Sequence, residues 1–184
     1  MDTSTPIETL IHECKRQNRK AQRELYQRYA EAMFHLCLRL MPSQADAEDA
    51  LQEAFVKAFR KIGQFSFEAA FGAWLKRIVV NQCMDQLRKD QKRIWLHKDE
   101  ELPEGEYEDP AQALPEGLSV DIVRKAIKAL PDGFRTVLTL YLLEGYDHQE
   151  IGEVLGISPS TSKSQYSRAK AKLRGLLGEY AGVA

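Results

Sequence analysis

The stretch from Tyr146 to Leu177, YDHQEIGEVLGISPSTSKSQYSRAKAKLRGLL, constrains this chain most, because it sets two amphipathic helical patterns either side of a short break. Asp147 followed by Glu150 makes a capping box, and Ile151, Val154 and Leu155 give the first pattern one apolar face. Gly156 ends it, Ile157 turns inward, and Ser158 with Pro159 supplies an N-cap and a first helical residue that needs no amide donor. In the second pattern Tyr166, Ala169, Leu173, Leu176 and Leu177 recur at helical spacing. Ser160, Thr161, Lys163, Ser164, Gln165, Ser167 and Arg168 are left pointing outward. Hydroxyls, Lys and Arg hold phosphates, and Gln pairs bidentately with adenine in a major groove. An ordinary amphipathic helical hairpin is the competing reading, since it shares the periodicity; the agreement of cap, turn and polar face favours a helix-turn-helix that binds DNA.

The 184 residues suit one large or two small domains, and 43% hydrophobic content is enough for helical cores. No run approaches the roughly 20 apolar residues of a membrane helix. The start MDTSTPIETL lacks the regions of a signal peptide, so a cytoplasmic protein with no direct membrane insertion is expected. Cys14, Cys37 and Cys83 are isolated and odd in number, which predicts neither disulfides nor a zinc site, and no metal or other cofactor is expected. The net charge of -1 hides an uneven distribution: residues 1–95 carry +4, residues 96–118 carry -7 and residues 119–184 carry +2. An acidic connector thus joins two mildly basic modules.

That connector, HKDEELPEGEYEDPAQALPEG, combines three Pro, two Gly and a carboxylate run, which predicts an extended linker. Before it the periodicity predicts helices over Pro6 to Gln17, Lys20 to Leu40, Ser43 to Ile62 and Ala69 to Arg93. After it come Ser119 to Ala129, Pro131 to Leu143, Asp147 to Leu155 and Pro159 to Leu177. No segment reads as a sheet and no internal repeat is visible. The fold class is all-α: two small helical domains, 1–95 and 119–184, joined by an acidic linker over 96–118.

Two helices of the first domain carry chemistry. In DAEDALQEAFVKAFRKI, from Asp46, the residues Asp46, Asp49 and Glu53 form a carboxylate stripe opposite Leu51, Phe55, Ala58, Phe59 and Ile62. Paired carboxylates can bind a divalent metal, as in a helical nuclease, but no His or second acidic cluster joins them in sequence. A solvated helix start and a docking face for a basic partner are the other two readings. In FSFEAAFGAWLKRIVVNQCMDQLRKDQKR, from Phe65, the residues Trp74, Leu75, Ile78, Val79 and Leu87 are expected inside. Lys76, Arg77, Asn81, Gln82, Arg88, Lys89, Lys92 and Arg93 are expected outside, and Phe65, Phe67 and Phe71 flank a short loop. Aromatics beside basic residues suit single-stranded DNA, each base stack contributing about 1 to 3 kcal/mol.

Taken together, DAEDALQEAFVKAF, FGAWLKRIVVNQCMDQLRK and LPDGFRTVLTLYLLEGYDHQEIGEVLGISPSTSKSQYSRAKAKL resemble, in order and spacing, the extracytoplasmic-function sigma factors. The first two blocks are what a repressor with a lone helix-turn-helix lacks. The resemblance implies a non-catalytic subunit that binds core RNA polymerase and directs promoter-specific initiation. Asp46, Asp49, Gln52 and Glu53 would dock on the Arg-rich clamp-helix coiled coil of the largest polymerase subunit, and the flap of the second largest would be a further partner. Phe65, Phe67, Phe71, Asn81 and Lys61 would capture flipped bases of the -10 element, while Lys76, Arg77, Arg88 and Lys89 hold the strand. Ser160, Thr161, Lys163, Ser164, Gln165 and Arg168 would read the -35 element as duplex. The linker would thread through the active-site cleft. An anti-sigma protein, in this family commonly anchored in the inner membrane, is the implied regulator.

The chain departs from the family's common pattern at the recognition helix, where Ser162 replaces an apolar Val, Gln165 an Arg and Tyr166 a smaller aliphatic residue. The loop reads Ser66-Phe67-Glu68 in place of a frequent Arg-Gly pair. The general role therefore carries over and a particular promoter sequence does not. A free-standing helix-turn-helix regulator is the alternative function, marked by tight duplex binding without polymerase. Two weakly basic modules offer few phosphate contacts for that.

Overall fold

The computed structural model describes residues 5–89 and 118–180. The expected linker lies outside these residues except for Leu118, as do Lys92 and Arg93. Among the described residues every element is helical and none is a strand. The chain divides into two compact units, Met1–Lys89 and Asp90–Ala184.

In the first unit α1 spans Ile7–Lys15, α2 Arg19–Leu40, α3 Gln44–Lys61 and α4 Phe71–Lys89, with a 3-10 turn at Ile62–Gln64. Each start has a local cause. The Asn18 side chain accepts from the backbone N–H groups of Lys20 and Ala21, and Ser43 accepts from Asp46, replacing partners that a first helical turn lacks. Helix α4 begins at Phe71, two residues later than the periodicity predicts, with the Ala70 carbonyl accepting from Ala73 and Trp74. Helix α3 packs against both α2 and α4. Its inner stripe is Ala47, Ala50, Ala54 and Ala58, all fully covered, so the neighbouring helices can approach closely. Larger side chains from the neighbours complete the core: Leu25, Leu36 and Leu40 from α2, and Leu75, Val79, Met84 and Leu87 from α4. Each contributes about 1.5–3 kcal/mol by leaving water. All three cysteines are buried thiols in these helices.

In the second unit α5 is Val120–Ala129, α6 Asp132–Leu138, α7 His148–Leu155 and α8 Pro159–Tyr180. Helix α8 touches all three others and runs three residues beyond the predicted end. Leu130, Leu138 and Ala169 form the centre, flanked by Ile127, Phe134, Leu173 and Leu176. Buried Arg135 ties α5 to α6 by donating to the carbonyls of Lys128 and Leu130 at 3.3 Å and to the Asp132 carboxylate. Its charge is thereby paired rather than left orphaned in the core. The helix predicted over Pro131 to Leu143 ends in a wider π turn at Thr139–Leu143. There the Glu144 amide donates to Thr139 and the Tyr146 amide to Leu140. The turn leaves Tyr141, Leu142 and Leu143 exposed.

The helix-turn-helix closes as its sequence predicts. Asp147 accepts from the Glu150 amide at 2.8 Å while Glu150 accepts from the Asp147 amide at 2.9 Å. Gly156, with φ 71°, occupies the left-handed region that ends α7, and the amides of Gly156 and Ile157 both donate to the Gly152 carbonyl. Ile157 is half-buried rather than enclosed. Ser158 then accepts from the Thr161 amide at 3.0 Å and starts α8.

Candidate functional site

Three surfaces carry the predicted residues, two on the first unit and one on the second. On α3, Asp49, Gln52 and Glu53 are exposed and Asp46 is half-buried. Asp46 serves the helix start, since its Oδ2 accepts from the Ser43 hydroxyl at 2.6 Å. Glu53 is tied across to α4: its Oε2 accepts from the Gln82 Nε2 at 2.9 Å. Gln82 is only 2% exposed, which corrects its expected place among outward residues. Among the described residues its Oε1 finds no partner, so the donation to Glu53 is what this buried amide gains from its surroundings. Farther along the same edge Lys57 pairs with Asp85 at 3.2 Å and Arg88 with Asp85 at 3.6 Å. The acidic edge and the basic helix are thus laced together by polar side chains.

On α4, Arg77, Asn81, Arg88 and Lys89 are exposed and Lys76 is half-buried, while Lys61 is exposed at the end of α3. The aromatic loop differs from the expectation of three stacking faces. Phe65 is 4% and Phe71 5% exposed, and only Phe67, at 38%, presents its ring. Phe65 lies 5.5 Å from Phe71, 5.4 Å from Trp74 and 4.9 Å from Phe67, ring centre to ring centre. Burying these large rings outweighs leaving them in water for a ligand, so Phe65 and Phe71 are the floor of the loop.

Phe67 has a φ of 65°, a left-handed conformation that side chains beyond Gly adopt rarely. Two residues of α1 hold it. His12 stacks on the Phe67 ring at 5.0 Å, and the Lys15 ammonium lies 4.9 Å from the same ring centre while donating to the Phe65 carbonyl at 2.8 Å. Sequence reasoning missed both. They stand some fifty positions before the loop, and nothing local to α1 marks them.

On α8, Ser160, Lys163 and Ser164 are exposed, and Thr161, Gln165 and Arg168 are half-buried on the same helix. The Ser158 hydroxyl lies 2.7 Å from that of Ser160 and 2.8 Å from that of Thr161, making a hydroxyl cluster at the helix start. Behind this face the unusual residues meet. Ser162 is wholly buried, and its hydroxyl lies 2.9 Å from His148 Nδ1. The His148 ring stacks on Tyr141 at 4.5 Å, and Tyr141 lies 4.5 Å from Tyr166. Burial lowers the His148 pKa, the Lys163 charge lowers it further, and Asp147 opposes them.

Among the described residues no helix is long and apolar enough to cross a membrane. Residues 25–93 match the family model for sigma-70 region 2, and residues 121–173 match that for sigma-70 region 4. The chain is 30% identical over 177 residues to the ECF RNA polymerase sigma factor SigW of Bacillus subtilis, covering 91% of this chain and 95% of SigW. Among solved structures, CnrH in complex with the cytosolic domain of CnrY superposes with a TM-score of 0.54 at 25% identity, covering 93% of this chain and 96% of CnrH. The sigma factor RpoE of Bartonella quintana, solved with the anti-sigma factor NepR, has the same fold at a TM-score of 0.57 and 24% identity, over 84% of this chain and 95% of RpoE. Two region matches in the right order, with a relative matched nearly end to end, place this chain in the sigma-70 family, among the extracytoplasmic-function sigma factors.

Proposed function

We propose that this chain, without catalysis of its own, docks on core RNA polymerase and selects a subset of promoters. The exposed edge of Asp49, Gln52 and Glu53, with Asp46 at its start, meets Arg side chains of the clamp-helix coiled coil through charge-assisted hydrogen bonds. Phe67, Asn81 and Lys61 capture unpaired bases of the -10 element, while Lys76, Arg77, Arg88 and Lys89 hold the strand. On the second unit, Lys163, Ser164, Gln165 and Arg168 read the -35 duplex, and Ser160 and Thr161 hold its phosphates. The exposed Tyr141, Leu142 and Leu143 suit a contact with the polymerase flap. An anti-sigma protein is the proposed regulator, by extension from RpoE, which was solved with one.

The observation that carries this reading is a closed helix-turn-helix whose polar face is open, on a chain whose other unit pairs an exposed acidic edge with a basic helix. Run-off transcription on genomic fragments, with purified core polymerase and with or without this protein, is the test. Discrete new start sites that depend on the protein are the expected result. Absence of polymerase-dependent initiation, together with tight duplex binding by the protein alone, would instead establish a free-standing regulator.

A further inference from the structure

We propose that Lys15, on α1, is a positioning residue for the base-capturing loop. The inference rests on the reading above, that the loop around Phe67 takes unpaired bases. Phe65 and Phe67 differ sharply: the first is buried in the core and the second projects an exposed ring from a left-handed backbone. A conformation of that kind persists only where its surroundings over-determine it. The Lys15 ammonium grips both residues at once, donating to the Phe65 carbonyl at 2.8 Å and sitting 4.9 Å from the centre of the Phe67 ring. One cation therefore joins the anchored Phe65 to the presented ring of Phe67, by a charge-assisted hydrogen bond and a cation–π contact. His12, one turn earlier on α1, stacks on the same ring at 28° between planes and limits its swing. Helix α1 does not need Lys15 for its own attachment, because Leu10, Ile11 and Cys14 already bury that helix against the core. With α1 anchored by those residues, losing the bond to Phe65 releases the loop more than the helix.

A loop held in its binding shape binds in proportion to the fraction of time it has that shape. The test compares wild type, Lys15→Met and Lys15→Arg as full chains with core polymerase, on a promoter mapped by run-off transcription. Three quantities are read: core binding, the thermal midpoint of the free chain, and binding of the holoenzyme to a fluorescent single-stranded oligonucleotide carrying that promoter's -10 sequence. Lys15→Met keeps the apolar stem and removes the donor. It is expected to leave core binding unchanged, to lower the thermal midpoint only slightly, and to weaken oligonucleotide binding by about tenfold. Lys15→Arg, which still donates, restores most of the binding. Wild-type oligonucleotide binding by Lys15→Met overturns the proposal, and so does a parallel loss of core binding and thermal midpoint, which would make Lys15 a folding residue. If wild type itself opens no promoter, the functional reading fails first and takes this one with it.

Discussion

Ser162 is a hydroxyl with no exposure, at a helix position where the family pattern carries an apolar residue. It is tolerated because His148 Nδ1 stands 2.9 Å away, giving the buried oxygen a partner. Tyr166, the other bulky departure, extends the same cluster through Tyr141. The substitutions are therefore one packing solution, and sequence alone showed only that they were unusual. His148 brings a pH dependence. Its folded pKa lies below the ordinary value of 6.5, through burial first and Lys163 second, against Asp147. The unfolded chain therefore takes up the proton first as pH falls. The neutral ring's contribution is complete above about pH 7 and is lost as pH drops through the unfolded pKa toward the folded one. The thermal midpoint of the second unit, followed by circular dichroism, is expected to fall between pH 7.5 and 5.5 by more in wild type than in His148→Gln. Equal pH slopes in the two proteins would remove His148 as the cause.

At the scale of elements, the turn of the helix-turn-helix is held by backbone proximity as well as by capping. A Cβ added at Gly152 would stand 2.7 Å from the Ile157 carbonyl oxygen, part of the backbone that leads into α8. Gly152→Ala is expected to destabilise the second unit by about 1–3 kcal/mol, measured by denaturant unfolding, despite the better helix propensity of Ala. The α3 edge makes a different prediction. Asp49→Lys reverses an exposed charge and should weaken core-polymerase binding, measured by competition, with little change in thermal stability. Glu53→Lys should do both, because it also strips the partner from the buried Gln82 amide, at a cost of about 1–3 kcal/mol. The stripe of α3 was legible from helical spacing. The bond from Glu53 to Gln82 was not, since helical periodicity assigns faces within one helix and says nothing of which facing side chain a neighbour supplies.

For the whole molecule, each unit carries its own core: the alanine stripe of α3 with its neighbours in one, and Leu130, Leu138 and Ala169 in the other. Fragments 1–89 and 90–184, made separately, are each expected to be helical and to unfold cooperatively by circular dichroism. A fragment without a cooperative transition would show that its core needs the other unit. The sequence by itself determined the helical class, most helix starts and the helix-turn-helix, down to its capping box, Gly156 and Pro159. These depend on side chains and backbone groups within a few residues of one another, so they are written locally. Only the tertiary structure decided that Phe65 and Phe71 belong to the core while Phe67 is presented, and that Lys15, Gln82 and His148 have the partners they do. Those pairs are 50, 29 and 14 residues apart in the chain, and they meet because packing the apolar faces of the helices carries their polar edges into contact.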